Sequence, residues 1–127
     1  MPTAELTDAE LRRLERRLRS ERANIDTEMR QLTGTLESVR DARSDASADD
    51  EHDPEGPTLS AEWSRIAGIH TELTQKSAAI DRALRRIKDG TYGICIRRGE
   101  PISKERLEAR PAAELCIDCA RELEARR

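Results

Sequence analysis

The sequence predicts an all-α fold: a long antiparallel two-helix coiled-coil hairpin with an acidic tip, followed by a small C-terminal module. Three observations predict it. Leu11, Leu18, Ile25, Leu32 and Val39 recur every seven positions, and so do Leu59, Ile66, Leu73, Ile80 and Ile87. The two sets are mirror images about position 49, as two helices folded back on each other require. The mirror point lies in the most acidic stretch of the chain: between Asp41 and Glu55 stand seven carboxylates (Asp41, Asp45, Asp49, Asp50, Glu51, Asp53, Glu55) and one base, Arg43, while the net charge of all 127 residues is −3. Finally, a chain that is 39% charged, 2% aromatic and without Phe cannot fill a globular core of this length. A seam between two helices needs little more than one aliphatic residue per turn.

Each element has its own local signal. Leu6-Thr7-Asp8-Ala9-Glu10-Leu11 reads as a capping box, with Thr7 at N-cap, Glu10 at N3, and Leu6 and Leu11 as the halves of a hydrophobic staple. Helix one should start there and run to about Arg40 or a little beyond, with Gly34 in its interior costing about 1 kcal/mol relative to alanine. Ser44 to Pro57 is rich in Ser, Asp, Gly and Pro, and Asp53-Pro54-Glu55-Gly56-Pro57 cannot continue a regular helix. The tip is therefore expected at about residues 41–57. Helix two enters near Thr58 and ends at Asp89, with Gly90 in the C′ position. This organisation gives a coiled-coil domain over residues 1–89 and a module over residues 90–127. From Leu11 to Val39 a helix rises about 42 Å at ~1.5 Å per residue. The same heptads could pair separate chains, but a short linker gives an effective concentration on the order of millimolar, so a monomer is expected.

Composition excludes several function classes. The N-terminus Met-Pro-Thr-Ala-Glu has neither a basic patch nor an apolar core of a leader, and no apolar run approaches the ~20 residues of a membrane span. The expectation is a soluble cytoplasmic protein with no membrane partner. Three cysteines, Cys95, Cys116 and Cys119, are an odd number bunched in the last third. They point to metal or thiol chemistry in a reducing compartment rather than to a disulfide framework. Arg97, Arg98, Arg126 and Arg127 suggest nucleic acid, but phosphate neutralisation dominates such affinity, and an acidic chain with no base cluster free of acids is poorly equipped for direct DNA binding. Arg12, Arg13, Arg16, Arg17 and Arg19 interleave with Glu5, Glu10, Glu15 and Glu21, the pattern of a salt-bridged solvent face. Trp63 is either a seam residue or an exposed anchor for a partner. With no catalytic constellation visible, the chain is not expected to be an enzyme.

Gly90-Thr91-Tyr92-Gly93-Ile94-Cys95, Gly99-Glu100-Pro101-Ile102, Arg106-Leu107-Glu108-Ala109-Arg110-Pro111 and Cys116-Ile117-Asp118-Cys119 together resemble the C-terminal finger of the DksA/TraR family. The resemblance implies a zinc-finger-like module with a terminal helix beside the hairpin. It also implies a function: the hairpin enters the secondary channel of RNA polymerase, with acidic tip residues close to the active centre, and modulates transcription initiation. Asp45, Asp49, Asp50, Glu51 and Asp53 are the tip candidates by resemblance, and guanosine tetraphosphate is an implied co-effector.

The chain departs from the family at two places. The spacing C-x2-C-x17-C-x2-C puts zinc ligands at positions 95, 98, 116 and 119, and position 98 is Arg98. Cys95, Cys116 and Cys119 are thus an incomplete metal site whose zinc affinity should fall steeply. Neither His52 at the tip nor His70, 17 residues before Ile87 on helix two, can complete it. Without a metal, Tyr92, Ile94, Ile96, Ile102, Leu107, Leu115, Ile117 and Leu123 would form the finger's core, with Arg98 pairing to Asp118 or Glu114. The thiols would then be small buried hydrophobes or, with Cys116 and Cys119 at a helix start, redox groups. The second departure is that the family tip pattern D-x-x-D-x-A is absent. The function expected is a polymerase-binding transcription regulator. The alternatives are a non-enzymatic coiled-coil adaptor docking another basic protein, and a thiol-based redox sensor.

Overall fold

The computed structural model describes the backbone of residues 4–49 and 56–126, and the side chains of residues 4–42 and 60–126. Among the described residues four helices follow one another: α1 (Asp8–Asp49), α2 (Gly56–Asp89), α3 (Lys104–Ala109) and α4 (Ile117–Ala125). Among the described residues the one extended pairing is an antiparallel bridge between Ile94 and Pro101. The fold is all-α, as expected.

The start of α1 and the end of α2 follow from their caps. The Thr7 backbone N–H donates to Glu10 Oε1 at 2.9 Å and the Glu10 N–H donates to Thr7 Oγ1 at 3.1 Å, a complete capping box. The box and Lys104 hold the Glu10 carboxyl below its ordinary range. At the far end of α2, Gly90 sits at φ +80°. Its N–H donates to the Ile87 carbonyl at 3.2 Å and the Thr91 N–H to the Arg86 carbonyl at 2.9 Å, the two bonds of a Schellman motif.

The middle of the chain differs from expectation. α1 does not stop near Arg40 but runs to Asp49, and α2 starts at Gly56 instead of Thr58. Ala42, Ala46 and Ala48 have the highest helix propensity, and no Gly or Pro interrupts before Pro54. Pro57, second in α2, stands where its missing N–H costs nothing. The two helices thus take up part of the 41–57 expected for the tip.

The chain divides into two compact units, Met1–Arg22 with Ser77–Arg127, and Ala23–Lys76. The division falls inside the helices and not at residue 89, because the start of α1 and the end of α2 share a core with the finger. In this first unit Leu14, Leu18, Ile80 and Ala83 are buried from the helices, and Tyr92, Cys95, Ile102, Leu107 and Cys119 from the finger. Tyr92 Oη donates to the Pro111 carbonyl at 2.8 Å, and burial pushes its phenol up to about 12. Gly93 has φ +83°, and a Cβ there would lie 2.8 Å from Ala4 Cβ, so only glycine serves at this crossing. Ser103 caps α3, its Oγ accepting from the Arg106 N–H at 3.2 Å. α3 is tied to α1 by Lys104–Glu10 at 3.2 Å, by Arg13–Glu108 and by the Arg17 guanidinium donating to the Glu108 carbonyl. Leu6, Leu11, Ile87 and Tyr92 line a cavity of about 160 Å³, where the expected staple residues meet.

Among its described residues the second unit consists of stretches of α1 and α2. Ile25, Val39, Ile66 and Leu73 are buried, and Leu32 and Trp63 are half-buried. The Arg40 guanidinium lies 5.6 Å from the Trp63 ring centroid, so Trp63 is covered from α1. In the first unit Arg22 Nε pairs with Asp81 Oδ1 at 2.8 Å. From Arg22 to Arg40 α1 advances 18 residues, and from Asp81 to Trp63 α2 retreats by the same 18, so the two helices pack as an antiparallel hairpin. Six of the nine mirror residues whose side chains are described (Leu18, Ile25, Val39, Ile66, Leu73 and Ile80) are buried, enough to identify the mirror as the seam.

Candidate functional site

The finger brings the three cysteines together from two chain segments. The first is a tight knuckle from Ile94 to Pro101: the Cys95 N–H donates to the Glu100 carbonyl at 2.8 Å and the Gly99 N–H to the Cys95 carbonyl at 2.8 Å. Gly99 closes the turn at φ +70°. The second is the start of α4, where Cys116 is the N-cap residue in extended conformation, without a side-chain cap bond. The Ala120 N–H donates to the Cys116 carbonyl at 3.0 Å, and the Ile96 N–H donates to the Glu114 carbonyl at 2.9 Å, binding the two segments to one another.

The ligand atoms of Cys95, Cys116 and Cys119 lie within 4.8 Å of one another, with Cys95 and Cys119 buried and Cys116 half-buried. All three are free thiols. Their electrostatics are unequal. Burial pushes the Cys95 thiol up, but hydrogen bonds from the backbone N–H groups of Cys116, Arg98 and Arg97, with a further one from Cys119, bring it down to about 7. Burial and hydrogen bonds with Cys116 and Cys95 push the Cys119 thiol up to about 11.

Position 98 supplies a cation. Arg98 Nη2 pairs with Glu122 Oε1 at 3.1 Å and Nη1 with Asp118 Oδ2 at 3.8 Å, while Arg97 Nη1 pairs with Glu122 Oε2 at 2.8 Å. Of the two partners expected for Arg98, Asp118 is found and Glu114 is not: Glu114 takes Arg82 at 2.5 Å and Arg86 at 3.7 Å. Arg86 is largely buried, and burial lowers its pKa. The sequence reading overlooked Glu122, which follows Asp118 by one helical turn and could have been found from that spacing. The expected finger core also changes. Tyr92, Ile102 and Leu107 are buried, but Ile96 is 62% exposed, and Ile117 and Leu123 are also exposed.

A structural zinc is closed by four ligands in a tetrahedron. Three thiols at these separations can hold a metal through three bonds. Among the described residues, however, no fourth His, Cys, Asp or Glu joins them, and the side chain at the fourth position is a guanidinium occupied with Glu122 and Asp118. The residues present do not fit a closed four-thiolate zinc site. The acidic candidates Asp45 and Asp49 belong to α1, their side chains lying outside the described residues, as do Asp50, Glu51 and Asp53 entirely.

Residues 90–125 match the model of the prokaryotic DksA/TraR C4-type zinc finger. Over 69 residues the chain is 42% identical to an RNA polymerase-binding transcription factor DksA of Caulobacter vibrioides, covering 53% of this chain and 49% of that protein. It is 39% identical over 59 residues to general stress protein 16O of Bacillus subtilis, covering 46% of this chain and 34% of the relative. These alignments span about half, or less, of the length of the curated relatives. The structure of transcription factor DksA2 from Pseudomonas aeruginosa superposes with a TM-score of 0.77 over 94% of this chain and 86% of that one, at 24% identity, a likeness of fold.

Proposed function

We propose that the chain is a member of the DksA/TraR family, whose finger model matches residues 90–125, and that it regulates transcription by binding RNA polymerase. The observation that carries the reading is the 69-residue match to a relative named as an RNA polymerase-binding transcription factor. It is joined here to an antiparallel helix pair and a finger of the same fold. The relatives so named act as transcription factors, and a non-enzymatic role is proposed for this chain as well, with the cytoplasm as its place of action. No helix among the described residues is long and apolar enough to cross a membrane.

The proposed mechanism is steric and electrostatic. The hairpin occupies the secondary channel of the polymerase, and the carboxylates Asp45, Asp49, Asp50, Glu51 and Asp53 approach the active centre, where basic groups and Mg²⁺ offer the complement to hard oxygen ligands. Channel occupancy supplies affinity, and the carboxylates supply the effect on initiation. Guanosine tetraphosphate is a proposed co-effector, read out as a nucleotide-dependent change in that effect. Initiation by purified polymerase, with and without the protein, tests the assignment. The combined variant Asp49→Asn, Asp50→Asn, Glu51→Gln, Asp53→Asn is expected to bind polymerase within a few-fold of wild type and to leave initiation unchanged. A variant that still shifts initiation as wild type does would remove the acidic residues from the mechanism.

A further inference from the structure

The mismatch at position 98 has a structural counterpart. A zinc ion in a finger of this kind joins two chain segments, the knuckle after Ile94 and the start of α4, through two ligands from each. Here the same two segments are joined by charge: Arg98, on the knuckle, reaches Glu122 at 3.1 Å and Asp118 at 3.8 Å on α4, and Arg97 reaches Glu122 at 2.8 Å. Residue 98 has not moved away from the sulfurs. The Gly99 N–H donates to the Cys95 carbonyl at 2.8 Å and the Cys95 N–H to the Glu100 carbonyl at 2.8 Å, so the main chain still turns as a tight knuckle through residue 98. Only the side chain has turned to carboxylates.

We infer that the finger of this chain closes on a guanidinium in place of a metal: Arg98, clamped by Glu122 and Asp118, holds the knuckle on α4, and the folded protein does not require zinc. Cys95 and Cys119 are 0% exposed, and the same module buries Ile102 and Leu107 at 1% and 0%. A fixed positive charge that acts on Cys119 and Cys116 also opposes a second cation, because like charges repel more strongly wherever water is partly excluded. The identity of residue 98 is therefore what separates a zinc-dependent from a zinc-independent finger on one backbone.

Two variants of the full chain test this. Wild-type protein, produced with zinc in the medium and analysed for metal by mass spectrometry, is expected to carry far less than one zinc per chain and to melt at the same temperature with and without a strong chelator. Arg98→Cys is expected to carry about one zinc per chain and to lose thermal stability on chelation. Arg98→Met keeps the length of the side chain without its charge. It is expected to melt about 2–4 °C below wild type at low salt, with the gap narrowing as salt rises. Stoichiometric zinc in the wild-type protein, with a chelator-induced fall in melting temperature, would overturn the inference. So would a folded Arg98→Cys that stays free of zinc, or an Arg98→Met as stable as wild type at every salt concentration.

Discussion

The two units of this molecule are built from the same pair of helices and stabilised in different ways. Where α1 and α2 meet the finger, in Met1–Arg22 and Ser77–Arg127, burial is dense and comes from residues distant in sequence. Leu14 and Leu18 share a unit with Tyr92, Ile102 and Leu107, all at most 4% exposed. Polar ties such as Lys104–Glu10, Arg82–Glu114 and Tyr92–Pro111 span 19 to 94 positions. In Ala23–Lys76 the buried hydrophobic residues among those described are Ile25, Val39, Ile66 and Leu73. Thr27, Thr33, Thr35, Ser38, Thr71 and Thr74 each turn a hydroxyl back onto the carbonyl four residues earlier, a bond that slightly weakens and bends a helix. The comparison teaches that continuous helices need not be uniformly stable: the unit carrying the finger should open only on global unfolding, and the other at lower cost.

Leu107→Ala should have the largest effect on that contrast. Its side chain is fully buried beside Gly93, and the loss should be about 3–5 kcal/mol, read as a fall in the denaturant midpoint with faster amide exchange throughout Met1–Arg22 and Ser77–Arg127. Ile66→Ala, also fully buried, should cost about 2–4 kcal/mol but accelerate exchange only within Ala23–Lys76. If exchange in both units rises equally, the division is wrong.

Tyr92 gives a third test, with a sign fixed by its environment. It is the single tyrosine, and its phenol is pushed up to about 12 by burial. A group whose folded pKa is raised stabilises fully below its unfolded value, near ~10, and loses that contribution as pH rises toward the folded value. Ultraviolet titration should therefore show ionisation near 12 in the folded chain and near ~10 in denaturant, with stability falling between them. Tyr92→Phe should abolish this slope and cost about 1–2 kcal/mol through the orphaned Pro111 carbonyl. The smallest effect is a gain. Gly34 lies in α1 of the second unit with open space around it, and Gly34→Ala should stabilise by about 0.5–1 kcal/mol, raising the thermal midpoint measured by circular dichroism.

What the sequence made legible was periodic or local. The mirror of aliphatic residues gave the hairpin because a heptad repeat is written directly in residue spacing, and Thr7, Glu10 and Gly90 gave helix ends because caps depend on neighbours within one turn. α1 runs further than about Arg40 or a little beyond: the Ser, Asp, Gly and Pro content from Ser44 was weighed as a loop, while the alanines at its start favour helix. Ile96, Ile117 and Leu123 were assigned to the core on hydrophobicity alone, yet the knuckle and the short α4 leave them on the outside. Glu114 was given to Arg98, but its partners Arg82 and Arg86 lie on α2, a pairing that only the tertiary fold brings about. Arg98 itself was legible as a lost ligand, and its role as a clamp needed Glu122 in place beside it.

Association with RNA polymerase is the most direct test of the central claim. Purified full-length chain and bacterial core enzyme, mixed near physiological salt and analysed by gel filtration or pull-down, should form a complex that survives without added zinc. The same protein eluting apart from the polymerase across a range of ionic strength would contradict the account and favour an adaptor that docks another basic partner.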